Sequence, residues 1–121
     1  MADKWQAIQN FWAGFGIPAY DESSVPDGAQ FPYITYSAAV GEFEQVVLLS
    51  ASIWYRSTSW AEISAKADAI ARAIGQNLLL KIDGGYLFIT KGSPFAQRMQ
   101  DENDSIRRVY LNLQTEFFTN Y

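Results

Sequence analysis

The chain contains no cysteine and no histidine. The first absence excludes a disulfide scaffold and a thiol nucleophile. The second removes imidazole, and with it zinc-finger ligation and every mechanism that needs a histidine near neutral pH. Basic charge is also scarce, with 9 Lys and Arg against 13 Asp and Glu for a net charge of −4. No basic stripe is available to draw the protein onto phosphates, and mild acidity discourages non-specific contact with DNA. Long apolar runs are missing too. The opening stretch MADKWQAIQNFWAGFGI carries Asp3, Lys4 and Gln6 early, which is the pattern of neither a signal peptide nor a membrane span. The expectation is a chain made in the cytoplasm, and the lack of cysteine is compatible with that.

What is present is apolar and rich in rings. A hydrophobic share of 49% with 18% charged residues is that of a globular chain, expected as one domain over residues 1–121. Aromatics reach 16%, so either the core is built of rings or some of them serve a partner.

Trp5, Ile8, Phe11, Trp12 and Phe15 recur at helical spacing, with Asp3 placed as an N-cap and Gly14 and Gly16 near the stop. A polar connection from Ala19 to Gln30 follows, with a turn signal at Pro26 to Gly28. In QFPYITYS, Ile34, Tyr36, Ala38 and Val40 share one face of a strand, and Tyr33, Thr35 and Ser37 the other. GEFEQ, from Gly41, reads as a turn into VVLLSASIWYRS, a strand too apolar for a sheet edge. Its two faces carry Val47, Leu49, Ala51, Ile53 and Tyr55 against Val46, Leu48, Ser50, Ser52, Trp54 and Arg56.

SWAE, from Ser59 to Glu62, has the form of a capping box before a helix of roughly 16 residues. LLLKIDGGYLFITKG reads as a hairpin turning at Asp83 to Gly85, and Ser93 to Ser105 as a polar, mobile loop. The final run alternates Val109, Leu111, Leu113, Thr115 and Phe117 with Arg108, Tyr110, Asn112, Gln114 and Glu116. The order predicts an α+β fold: an antiparallel-rich sheet of about four to five strands with two helices packed on it.

No catalytic constellation emerges. DENDS, from Asp101 to Ser105, lacks the spacing and the bidentate glutamate of a calcium loop, so it reads as a solvated acidic turn. Asp21, Glu22, Glu42 and Glu44 could supply paired carboxylates for glycoside hydrolysis, but nothing in their spacing sets them across a substrate. DGGY has neither the context of a dinucleotide site nor the Lys-Ser/Thr of a P-loop. No enzyme activity, cofactor or metal is expected. The open question is the rings, since Tyr33, Trp54, Tyr55, Tyr110, Phe118 and Tyr121 exceed what one small core holds beside the helical rings. Some should face a partner protein. A carbohydrate- or ligand-binding module using surface aromatics is the rival use.

The order of elements resembles the tail terminator or tail completion proteins of long-tailed bacteriophages and related prophage particles. The likeness is carried by IPAYDESSVPDGAQFPYITYS, the helix SWAEISAKADAIARAIGQNL, the hairpin, and RMQDENDSIRRVYLNLQTEF feeding a long last strand. The resemblance implies a non-catalytic virion protein of the tail, assembled in the bacterial cytoplasm. It would close the tail tube as a ring of roughly six subunits, meeting the tube protein on one side and head-completion proteins on the other. DNA would pass the bore without specific binding, and no membrane is involved. The candidate interface residues are Tyr33, Trp54, Tyr55, Phe95, Arg98 and Tyr110.

Overall fold

Asp3 opens the first helix as its position predicts. Its carboxylate accepts from the Gln6 N–H at 2.8 Å and caps α1 (Lys4–Ala13), which ends at Gly14. The computed structural model describes residues 3–37 and 47–119. Ala7, Ile8 and Trp12 form the buried stripe of α1, while Trp5, expected on that stripe, is exposed. Strands β1 (Ala19–Asp21), β2 (Tyr33–Tyr36) and β3 (Val47–Arg56) follow, then α2 (Ala61–Ile74), β4 (Leu78–Ile82), β5 (Gly85–Met99) and β6 (Ile106–Thr119). The expected turn at Gly41 to Gln45, and the places of Ala38, Val40, Glu42, Glu44, Val46 and Tyr121, lie outside the described residues.

The six strands form one mixed sheet in the order β1-β2-β3-β6-β5-β4, curled into a half-barrel. The expected α+β layout of about four to five strands is therefore corrected: the molecule is mostly sheet. Two segments account for the difference. β1 lies inside the stretch read as a polar connection and pairs in parallel with β2, Ala19 beside Ile34. Three residues are too few to show an alternation. β5 runs on through Met99, so the supposed loop from Ser93 is strand up to that point. Its polar character reflects exposure at the sheet margin, which a strand tolerates as readily as a loop does.

The remaining pairings are antiparallel, and β3 lies against β6 over its whole length, from Val47 opposite Thr115 to Arg56 opposite Ile106. The two-residue turn at Asp83-Gly84 joins β4 to β5, with Gly84 at φ 81°. At the start of α2 the capping box does not form. Ser59 Oγ accepts from the Ala61 N–H (3.0 Å) rather than from Glu62, and Trp60 takes the N-cap position without a side-chain bond.

Both helices fill the concave side of the sheet. Ile8 and Trp12 of α1 and Ile63, Ile70 and Ile74 of α2 meet Ile34, Ile53, Leu87 and Leu111 in one buried cluster. Polar bonds fix the helices in place. Lys66 Nζ of α2 donates to the Phe15 carbonyl (2.6 Å), and Gln9 of α1 both accepts from the Tyr36 hydroxyl and donates to the Ala19 carbonyl.

Candidate functional site

With the concave face buried, alternation turns every second residue of β2, β3 and β6 outward. Register aligns them in rows across the strands. Tyr33, Trp54, Arg108 and Met99 form one row, and Thr35, Ser52, Tyr110 and Gln97 the next. The side chains lock together along these rows. Tyr33 stacks on Trp54 with centroids 6.2 Å apart and planes at 24°. Arg108 lays its guanidinium 4.7 Å from the Trp54 centroid and 5.8 Å from that of Tyr110, while its Nε donates to Ser52 Oγ at 3.0 Å. Trp54 Nε1 donates to Thr35 Oγ1 (2.9 Å). Beyond Tyr33 the ladder continues to Tyr20 (6.0 Å) and Phe31 (5.2 Å), and Arg56 sits 4.8 Å over the Phe31 ring.

The result is an outward surface of Tyr, Trp and Arg, the residue types that dominate binding hot spots. Their rotamers are held before any partner arrives, which lowers the entropy lost on docking. Burial, with the neighbouring Tyr20 adding to it, pushes the Tyr33 phenol above its ordinary value. It therefore stays protonated at neutral pH and able to donate.

The structure distributes the expected interface residues unevenly. Tyr33, Trp54 and Tyr110 belong to the ladder. Tyr55 alternates with Trp54, so it faces the core at 9% exposure. Phe95 is half-buried against the core cluster, beside the β-bulge that breaks the register between Lys91 and Ala96. Arg98 lies on the helix side, its guanidinium 4.8 Å from the Trp60 centroid, with Arg107 at 5.2 Å from the same ring. Phe118 packs edge-on to Phe88 at 6.2 Å, at the opposite end of the sheet. Arg108, Arg56, Phe31 and Tyr20 were missed. For Arg108 the signal was available, because the period that placed Tyr110 outward places Arg108 beside it.

Of the carboxylate candidates, Asp21 has local partners. Asp21 accepts from the Ser23 N–H (2.9 Å) and hydroxyl (2.7 Å), bonds that hold its carboxyl below the ordinary value. Asp101 accepts from Asn103 N–H, and Asn103 in turn from Ser105 N–H and Oγ, so this acidic segment is a pair of side-chain-closed turns. Among the described residues no group of three His, Cys, Asp or Glu stands where it could hold a metal ion, and no helix is long and apolar enough to cross a membrane.

No family model and no curated protein matches the sequence. The fold, however, has a solved relative in shape. A chain of the "Virion of native gene transfer agent (GTA) particle" aligns with a TM-score of 0.57 at 19% identity, over 88% of this chain and 83% of that one. The likeness is one of fold, and it extends over most of both chains rather than a short shared fragment.

Proposed function

We propose that this chain is a structural protein of a phage-like virion, working by assembly rather than by catalysis. The observation that carries the reading is the fold shared with a virion chain over 88% of this chain. The element order seen in the sequence supports the finer form of it: subunits close a ring at the end of the tail tube, stop its growth and offer a face to head-completion proteins. The convex ladder from Tyr33 through Trp54 and Arg108 to Tyr110 supplies a rigid contact for a neighbouring protein of the particle. Stacking on sugars is disfavoured by the same geometry. Trp54 is flanked by Tyr33 on one strand and by the Arg108 guanidinium on the other, so its ring is already engaged.

The test is made on particles. Particles purified from a host that produces the chain should contain it in a fixed ratio to the tube protein. Deleting its gene should leave unjoined heads and tails, with tails of uncontrolled length in negative-stain images. Purified particles free of the chain, or normal particles after deletion, would sink the virion reading. Normal tail length with the chain present elsewhere in the particle would sink only the ring at the tube end.

A further inference from the structure

The strand order leaves β4 at the margin of the sheet, and its five residues cover only Gly85–Ile89 of β5. From Thr90 to Met99 the outer edge of β5 has no strand beside it among the described residues. Hydrogen-bond alternation tells which backbone groups aim outward there. The Ser57 N–H donates to the Ser105 carbonyl at 2.7 Å, so odd-numbered residues of β6 bond to β3 and even-numbered ones to β5. The tight turn closing on Ile82 and Gly85 gives the same phase, setting Tyr86, Phe88 and Thr90 against even-numbered residues of β6. Gln97 and Met99, opposite Tyr110 and Arg108, are therefore bonded to β6. Ala96 and Arg98 turn their N–H and C=O groups the other way. On β4 the same alternation turns Leu79 and Lys81 outward.

Beside Ala96 and Arg98 lies an open hollow of about 160 Å³, bounded by Ser64, Ala67 and Asp68 of α2. A bare edge of this kind invites another strand, and only the bulge and Pro94 interrupt it. From Ala96 to Met99 it is regular. The margin of the sheet is thus a step, with β4 standing out by one strand over one half and β5 recessed over the other. Such a step fits its own image turned through a two-fold axis. Two of the five large apolar side chains exposed among the described residues, Leu79 (56%) and Met99 (36%), occupy its two halves. Both face the convex side, so the fit would bring them together. Among the described residues the opposite margin offers no equivalent edge, because β1 has three residues and the Ala19 carbonyl already accepts from Gln9.

We propose that two copies of this chain pair through this stepped edge, β4 of each adding as a strand beside Ala96–Met99 of the other. The sheets then run on as one. A two-fold contact closes on itself, whereas a ring needs head-to-tail contacts. The pairing therefore rests on no part of the ring reading, and it uses none of Tyr33, Trp54 and Arg108.

Native mass spectrometry and light scattering of the purified full chain should show a dimer that splits on dilution. Ala96→Pro removes an outward donor without touching a β6 bond, so it should give a monomer with a melting temperature within a few degrees of the parent. Leu79→Pro makes the same test from the β4 side. Gln97→Pro, which deletes a β6 bond, should instead lower the melting temperature. Hydrogen exchange needs no variant: the Ala96 and Arg98 amides should be protected at high concentration and lose that protection on dilution. A chain monomeric throughout, or a dimer whose Ala96 and Arg98 amides exchange freely, overturns the pairing. So does a dimer that survives both proline variants in folded form. A larger ring indifferent to Ala96→Pro overturns it too, while leaving the tail reading intact.

Discussion

Arg108 shows how a charged residue becomes a fixed part of an open sheet face. Its guanidinium lies over two rings and its Nε is bound to Ser52, so its planar group has little freedom left. Each such cation–π contact is worth about 0.5–1 kcal/mol at an exposed site, small against the stability of a domain. Arg108→Ala should accordingly shift the melting temperature only a few degrees while weakening any partner that docks on the ladder. Gly92 is the opposite case, a residue with no side chain whose role is structural. A Cβ built there would lie 2.9 Å from both the Cβ and the carbonyl oxygen of Asn112, and the backbone cannot yield without disturbing the bulge. Gly92→Ala should cost about 1–3 kcal/mol, read from the midpoint of urea unfolding. An unchanged midpoint would mean that β5 moves aside freely here.

At the scale of elements, β2 and β3 concentrate the titration behaviour of the sheet. Tyr33, Tyr36 and Tyr55 each have a phenol pushed above its ordinary value, chiefly by burial, with Tyr20, Asp21 and Glu62 respectively adding repulsion. Below a pH of about 10 the phenols are protonated in the folded and unfolded chains alike, so they leave stability unchanged. Above it the unfolded chain ionises first, and stability falls until the folded phenols ionise in turn. The melting temperature should hold level up to about pH 9 and drop beyond about pH 10. The drop should be shallower in Tyr33→Phe and Tyr55→Phe than in the parent. Equal slopes in parent and variants would show that burial does not govern these groups.

The same elements explain what could be read from the sequence. Long, strongly periodic segments were legible: α1, α2, the central position of β3, the Asp83-Gly84 hairpin and β6 are where the pattern put them. β1 was not, since its three residues owe their place to a parallel partner far along the chain. The second half of β5 was hidden because periodicity reports burial, and a strand with one free edge need not bury alternate residues. The Ser59 box failed because Trp60 turns helical one residue early, which puts the Ala61 amide rather than that of Glu62 in reach of the hydroxyl. For the candidate site, Tyr33, Trp54 and Tyr110 were legible from outward alternation. The assignment of Tyr55 ignored that it shares a face with Ile53, and the partnership of rings with Arg56 and Arg108 is a property of cross-strand register, which spacing along one strand does not carry.

Taken whole, the molecule divides its apolar material between a concave side that makes the fold and a convex side that meets the outside. Mutation should separate the two. Ile70 is fully buried in α2, packed in the cluster that joins both helices to the sheet. Ile70→Asp places a carboxylate there without a partner, a penalty of several kcal/mol against a total stability of comparable size. The expected outcome is a chain without a cooperative thermal transition. Trp54→Ala with Arg108→Glu removes the centre of the ladder and reverses its charge, yet the core residues Ile53 and Val109 beside them stay in place. That double variant should keep the parent circular dichroism and melt within a few degrees of it, and should be absent from purified particles when it replaces the parent chain. Incorporation at the parent level would remove the ladder from the assembly contacts. Loss of the folded state would show instead that the convex rows hold the half-barrel together, and that the division between folding face and meeting face is wrong.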